Sequence, residues 1–182
     1  MKYKIIEKPD YTNRVKIGIQ SEPENVPHMF FLSGLNILLF PFYIFELLNN
    51  RSFGVQNARF NFYHEMDGGF LLDFYDRMNR EMQEDEIEIT FYDGKTHYSV
   101  IGKNDFIKIF YDYSLKLLEF YGVEKMTQLE YETYWIKHTE HIRDNGWYLD
   151  SEKAFYNENP LWINAMEKYL KLLKARIDSN LD

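Results

Sequence analysis

Two histidines, His138 and His141, flank Thr139-Glu140 in a stretch of helical pattern. On a helix they fall on neighbouring turns, where a pair of imidazoles can ligate zinc if a third ligand arrives from elsewhere. The spacing is not that of zinc-protease helices, and Glu140 points away from both rings. The blander expectation is two surface or half-buried histidines. His64 and His97 read as possible cross-strand neighbours, with His97 near Glu88 as a general base. Asp73 with Asp76, or Glu86 with Glu88, are possible carboxylate pairs. Ser33-Gly34 and Ser99 lie in no nucleophile-elbow pattern, and Gly68-Gly69 lacks the following Lys-Ser/Thr of a phosphate loop. No catalytic constellation emerges, so no enzymatic activity and no cofactor or metal is expected.

Charge is more sharply placed than any of these. Residues 65–93 hold ten acids against only Arg77 and Arg80, a net of −8, equal to the charge of all 182 residues. The remainder is formally neutral. Acids guarding a sheet edge are the blander reading, but acids spread only for solubility would not concentrate in this way. They are also interleaved with Phe74, Tyr75, Met78, Met82, Phe91 and Tyr92, a mixture that suits a binding face. The candidate partner-binding residues are Asp73, Asp76, Glu81, Glu84, Asp85, Glu86, Glu88, Tyr92 and Asp93.

The elements that carry this stretch read as two hairpins. Phe60, Phe62, His64 and Met66 share one face by the period of two, Asp67-Gly68-Gly69 supplies turn chemistry, and 70–75 reads as the returning strand. Ile87 to Tyr92, Asp93-Gly94 as a type I′ turn, and Lys95 to Ile101 form the second hairpin. Ile87, Ile89 and Phe91 face one way and Glu88, Thr90 and Tyr92 the other, as in a half-buried sheet. Residues 76–85 are a helical turn or a loop. Upstream, Tyr3 to Glu7 and Arg14 to Gln20 look like strands. Met29 to Leu48 is greasy but broken by Ser33, Gly34, Asn36, Pro41 and Glu46, so it reads as a strand or turn over 35–40 and a core helix from Pro41, with no membrane span.

After Gly102 the period changes to 3.6. Asn104 caps a helix with the stripe Phe106, Ile109, Phe110, Tyr113, Leu117, Phe120 and Tyr121, ended by Gly122. Thr127 to Glu130 is a capping box for a second helix carrying Leu129, Trp135, Ile136 and Ile142 and closed by Gly146. Asn159-Pro160 opens the third, with Leu161, Trp162, Ala165, Met166, Tyr169, Leu172, Leu173 and Ile177. The expected fold is a single α+β domain over 1–182: about six antiparallel strands, one early helix and three C-terminal helices packed on the sheet.

The absence of cysteine agrees with a reducing cytoplasm, and Met1 to Lys8 lacks the apolar core of a signal peptide. A net −8 without a basic stripe argues against direct nucleic-acid binding and suits a basic protein partner. In size, acidity, α+β layout and the run Glu86 to Lys95 leading into Asp105-Phe106, the chain resembles the immunity proteins of bacterial polymorphic toxins, including those of contact-dependent growth inhibition. The resemblance implies a cytoplasmic, non-catalytic protein that neutralises a cognate toxin domain, often a basic nuclease. Two alternatives stay open: a small enzyme or metal- or ligand-binding domain using His138/His141 or His97, and an acidic nucleic-acid mimic.

Overall fold

In the computed structural model, residues 2–9, 15–22, 37–55, 58–92, 94–120, 128–146 and 148–179 are described. Strands β1 (Lys2–Pro9) and β2 (Val15–Glu22) pair antiparallel. A second antiparallel sheet follows the order β3 (Phe53–Val55), β4 (Ala58–Phe62), β5 (Glu86–Tyr92), β6 (Thr96–Gly102). Six α-helices lie among the described residues: α1 (Phe40–Leu48), α2 (Gly68–Met78), α3 (Lys103–Phe120), α4 (Gln128–Asp144), α5 (Asp150–Glu158) and α6 (Trp162–Ser179). The α+β class and its antiparallel pairing stand. The expected single sheet of about six strands is instead one of two and one of four, and the helices are more numerous than expected.

The main correction concerns 67–78. Asp67 opens α2, not a hairpin turn: its carboxylate accepts from the Phe70 backbone N–H at 3.0 Å, the bond of an N-cap. The helix stops where Asn79 takes a left-handed conformation at φ 52° and donates its backbone N–H to the Tyr75 carbonyl. Phe70 and Leu72 would share a strand face with Phe74, yet both are exposed while Phe74 is fully buried. Leu71, Phe74 and Met78, spaced for a helix, turn inward instead. Strand β4 ends at Phe62 in the 3-10 turn Tyr63–Glu65, so His64 is not a sheet residue. Its actual hairpin partner is β3, and β4 reaches β5 through α2.

The second hairpin has the expected strands, with Ile89 opposite Ser99. Tyr92 pairs with Thr96, so the connection is three residues, not the two of a type I′ turn. Gly94 within it sits at φ +102°, where a side chain would be strained.

Short α1 is central to the packing. Pro41 lies in its first turn, as expected, and Phe40, Ile44 and Leu47 are fully buried. Phe40 stacks on Phe110 of α3 at 5.3 Å, Tyr43 on Phe53 of β3 at 4.9 Å, and Phe42 on Tyr156 of α5 at 5.7 Å. The end of α1 leaves carbonyls without helical donors. Arg176 of α6 donates to the Leu47 and Leu48 carbonyls and to Asn50 Oδ1. Glu132 of α4 performs the converse service, accepting from the Trp162 and Ile163 backbone N–H groups at the positive end of α6.

The C-terminal helices keep most of their expected stripes: Phe106, Ile109, Phe110, Tyr113, Leu117, Trp135, Ile142, Trp162, Ala165, Met166, Tyr169 and Leu173 are buried. Ile136, Leu161 and Leu172 are exposed instead. Helix α5 has no counterpart in the sequence reading. Glu152 defines its start by accepting from the Leu149 backbone N–H. Residues 10–14, 23–36, 121–127 and 93 fall outside the described residues, and with them Arg14, Ser33-Gly34, Tyr121, Gly122, Thr127 and Asp93. No helix among the described residues is long and apolar enough to cross a membrane.

Candidate partner-binding surface

The four-stranded sheet is covered on both faces, which decides the fate of its acids. On one face Phe60, Phe62, Ile87, Ile89 and Ile101 join the main core, with Phe60 against Phe106 of α3 at 5.2 Å. On the other, α2 lies over the row Asn61, Glu88 and Val100, which pair across β4, β5 and β6. Met66, Phe74 and Met82 form a small buried cluster of their own there. The half-buried sheet expected from the alternation is thus closed at this end.

Glu88 is the consequence. It is 2% exposed and held by Arg77 of α2 and by Asn61 Nδ2 at 3.2 Å. It is therefore withdrawn from the partner-binding set, because a partner cannot reach it. Arg77 also stacks over the Tyr98 ring at 4.2 Å, which fixes the guanidinium between helix and sheet. The second arginine of the stretch is also paired, but at the surface. Arg80 grips both carboxylate oxygens of Glu86 at 2.8 Å, and the Gln83 backbone N–H donates to the same carboxylate. The hydrogen bond from Arg80 holds the Glu86 carboxyl below the usual range.

With Arg77 engaged by buried Glu88 and Arg80 by Glu86, Asp73, Asp76, Glu81, Glu84 and Asp85 are exposed and their carboxylates have no bonding partner among the described residues. Asp73 and Asp76 are three residues apart on the outer side of α2, and Glu81, Glu84 and Asp85 follow its C-terminus. Tyr92 is exposed at the end of β5. Phe74 and Met82 are buried, whereas sequence alone placed them on a binding face; Tyr75 is exposed as expected, and Met78 and Phe91 are half-buried.

The chain matches no protein-family model, no curated protein and no solved structure.

Exposed aromatic and aliphatic residues accompany the acids. Phe70, Leu72 and Tyr75 of α2 and Tyr92 and Tyr98 of the sheet make up half of the large apolar side chains exposed among the described residues. Phe70 lies 6.0 Å from the Arg59 guanidinium. Sequence reasoning missed Phe70 and Leu72, since a strand at 70–75 buries them. The cap at Asp67 followed by Leu71, Phe74 and Met78 at helical spacing is the signal that finds them. On the far side of Glu84 and Asp85, a cleft of about 550 Å³ leads to Lys103 and Arg176, which bound the acidic surface.

Among the chemistry-bearing candidates, the described histidines form no catalytic or metal-binding group. His138 is half-buried against Tyr156, its ring 5.2 Å away, and burial lowers its pKa, helped by His141 nearby. His141 is exposed beside Tyr148. No group of three or more metal-ligating side chains occurs among the described residues. His97 pairs with Phe91 on the core face of the sheet, whereas Glu88 is on the α2 face, so the His97–Glu88 dyad that the sequence left open does not form. His64, in its 3-10 turn, is not a cross-strand neighbour of His97. Glu86 and Glu88 share a face but each is bound by its own arginine, and Asp73 and Asp76 face solvent.

Proposed function

We propose that this chain is an immunity-type protein that binds and neutralises a basic, nuclease-type toxin domain, without catalysis, through the acidic outer surface of α2 and residues 79–86. The observation that carries the reading is the engagement of both arginines of the stretch, Arg77 by buried Glu88 and Arg80 by Glu86, which leaves five carboxylates of the same stretch unmatched. A solvated face ordinarily intersperses both signs. Asp76 makes the point separately: it lies in the last turn of α2, where a carboxylate opposes the helix dipole by about 0.3–1 kcal/mol. Its placement does not serve the helix. Unmatched charge of this kind raises the association rate with a cationic partner and orients the encounter.

The test is protection of cells expressing a basic toxin domain by co-expression of this chain, together with formation of a saturable complex between the two purified proteins. Reversing Asp73, Asp76, Glu84 and Asp85 to lysine takes the 65–93 stretch from −8 to zero. That variant should stay folded, since exposed charges contribute little to stability, and lose protection. Equal protection by the folded variant refutes the acidic surface as the site. A wild-type chain that protects against no basic toxin domain refutes the function.

A further inference from the structure

Helix α2 carries more apolar surface than its contact with the sheet requires. Leu71, Phe74 and Met78 turn inward, yet Leu72 and Tyr75 stand 61% and 47% exposed on the solvent side. They line a groove of about 410 Å³ together with Tyr63, Leu71 and the buried Met82, with Glu81 at its margin. Pockets that take small molecules run from about 300 to 1,000 Å³, so this one has room for a single large side chain. Methionine and leucine line its interior, and methionine adapts to differently shaped guests. The charged residue of its lining is acidic, Glu81, and Asp73 and Asp76 lie on the same turns of α2 as Leu72 and Tyr75. That border repels phosphates and acidic peptides and attracts cations.

The geometry points to an anchor slot, in which the groove receives one aromatic or large aliphatic side chain projecting from a lysine- or arginine-rich segment of the partner protein. The inference rests on the proposed partner-binding role of this surface and divides the labour within it. The carboxylates set the rate of encounter, and the slot sets the lifetime of the complex, because desolvated anchors in a pocket dominate dissociation while surrounding charges dominate approach.

The experiment titrates the full chain with a short lysine-rich amphipathic peptide carrying one tryptophan, and with the same peptide carrying alanine in its place. Binding is followed through the leucine and methionine methyl signals by NMR. The tryptophan peptide should shift the methyl resonances of Leu71, Leu72 and Met82 by ring current, and the alanine peptide should not. The alanine peptide should bind about 30-fold more weakly, the scale of losing an interface anchor. Leu72→Ser combined with Tyr75→Ala should weaken the tryptophan peptide by a similar factor and leave the alanine peptide unaffected. Both side chains are exposed, so folding is retained and is checked by circular dichroism. Binding indifferent to the tryptophan, ring-current shifts elsewhere, or no binding overturns the slot. A failure of the underlying reading appears separately, as absence of toxin protection by the wild-type chain.

Discussion

Glu46 offers a test of the core that is independent of any partner. It lies on α1, 8% exposed, with Arg51 at 3.7 Å as its ion-pair partner. Burial is the largest influence on its carboxyl group; Arg51 opposes it, and Glu152 and Glu65 add repulsion, so the pKa is pushed up from 4.5 to about 7. The native state therefore binds this proton more tightly than the unfolded chain does. Stability associated with protonated Glu46 is present at low pH and is lost as pH rises through about 7. The gap between the two values corresponds to roughly 3 kcal/mol. Glu46→Gln keeps the shape and removes the charge. The variant should match wild type near about pH 4.5 and exceed it by roughly 3 kcal/mol near about pH 8. His138, whose pKa is lowered by burial, works in the opposite direction, its contribution falling as pH drops below its ordinary value. It is common to both proteins and cancels in the difference. Urea denaturation across this range measures the effect, and parallel pH profiles for the two proteins would refute a buried, high-pKa Glu46.

Other perturbations have distinct expected readouts. The four-lysine variant at positions 73, 76, 84 and 85 should associate more slowly with a basic partner, with the deficit shrinking as salt rises, in stopped-flow kinetics at two ionic strengths. Arg77→Ala strands Glu88 in its buried site and should cost about 2–4 kcal/mol in chemical denaturation, whereas a loss below about 0.5 kcal/mol would mean that Glu88 is solvated. Trp162→Ala and Leu117→Ala should each cost roughly 2–5 kcal/mol, since both side chains are buried in the main core. His138→Ala with His141→Ala should leave toxin protection intact; lost protection by a folded variant contradicts the non-catalytic reading.

The second hairpin and the C-terminal helices were legible because their periods are unambiguous. Ile87, Ile89 and Phe91 alternate cleanly, and Phe106, Ile109, Phe110, Tyr113 and Leu117 follow 3.6 over several turns. Helix α2 was not, because Phe70-Leu71-Leu72 and Phe74-Tyr75 are apolar at nearly every position and satisfy either period. Asp67-Gly68-Gly69 then favoured a turn, although the same aspartate serves as an N-cap. Misplacing α2 hid the burial of Glu88: alternation identifies which side chains share a face, not whether a distant helix covers that face. The acidic cluster itself was visible as composition. Its division into paired Glu86 and Glu88 and unmatched Asp73, Asp76, Glu81, Glu84 and Asp85 depends on where two arginines reach, which spacing does not encode.

The separate cluster of Met66, Phe74 and Met82 bears on how such a molecule changes over generations. The outward side of α2 rests on three buried residues of its own, while the main core lies across the sheet with α1, α3 and α6. Substitutions at sites without shared neighbours act on stability almost independently. Leu72, Asp73, Tyr75 and Asp76 can therefore be exchanged in many combinations without drawing on the margin of stability held by Phe40, Phe110 and Trp162. If this surface binds a partner as proposed, its recognition can be varied while the scaffold is inherited unchanged.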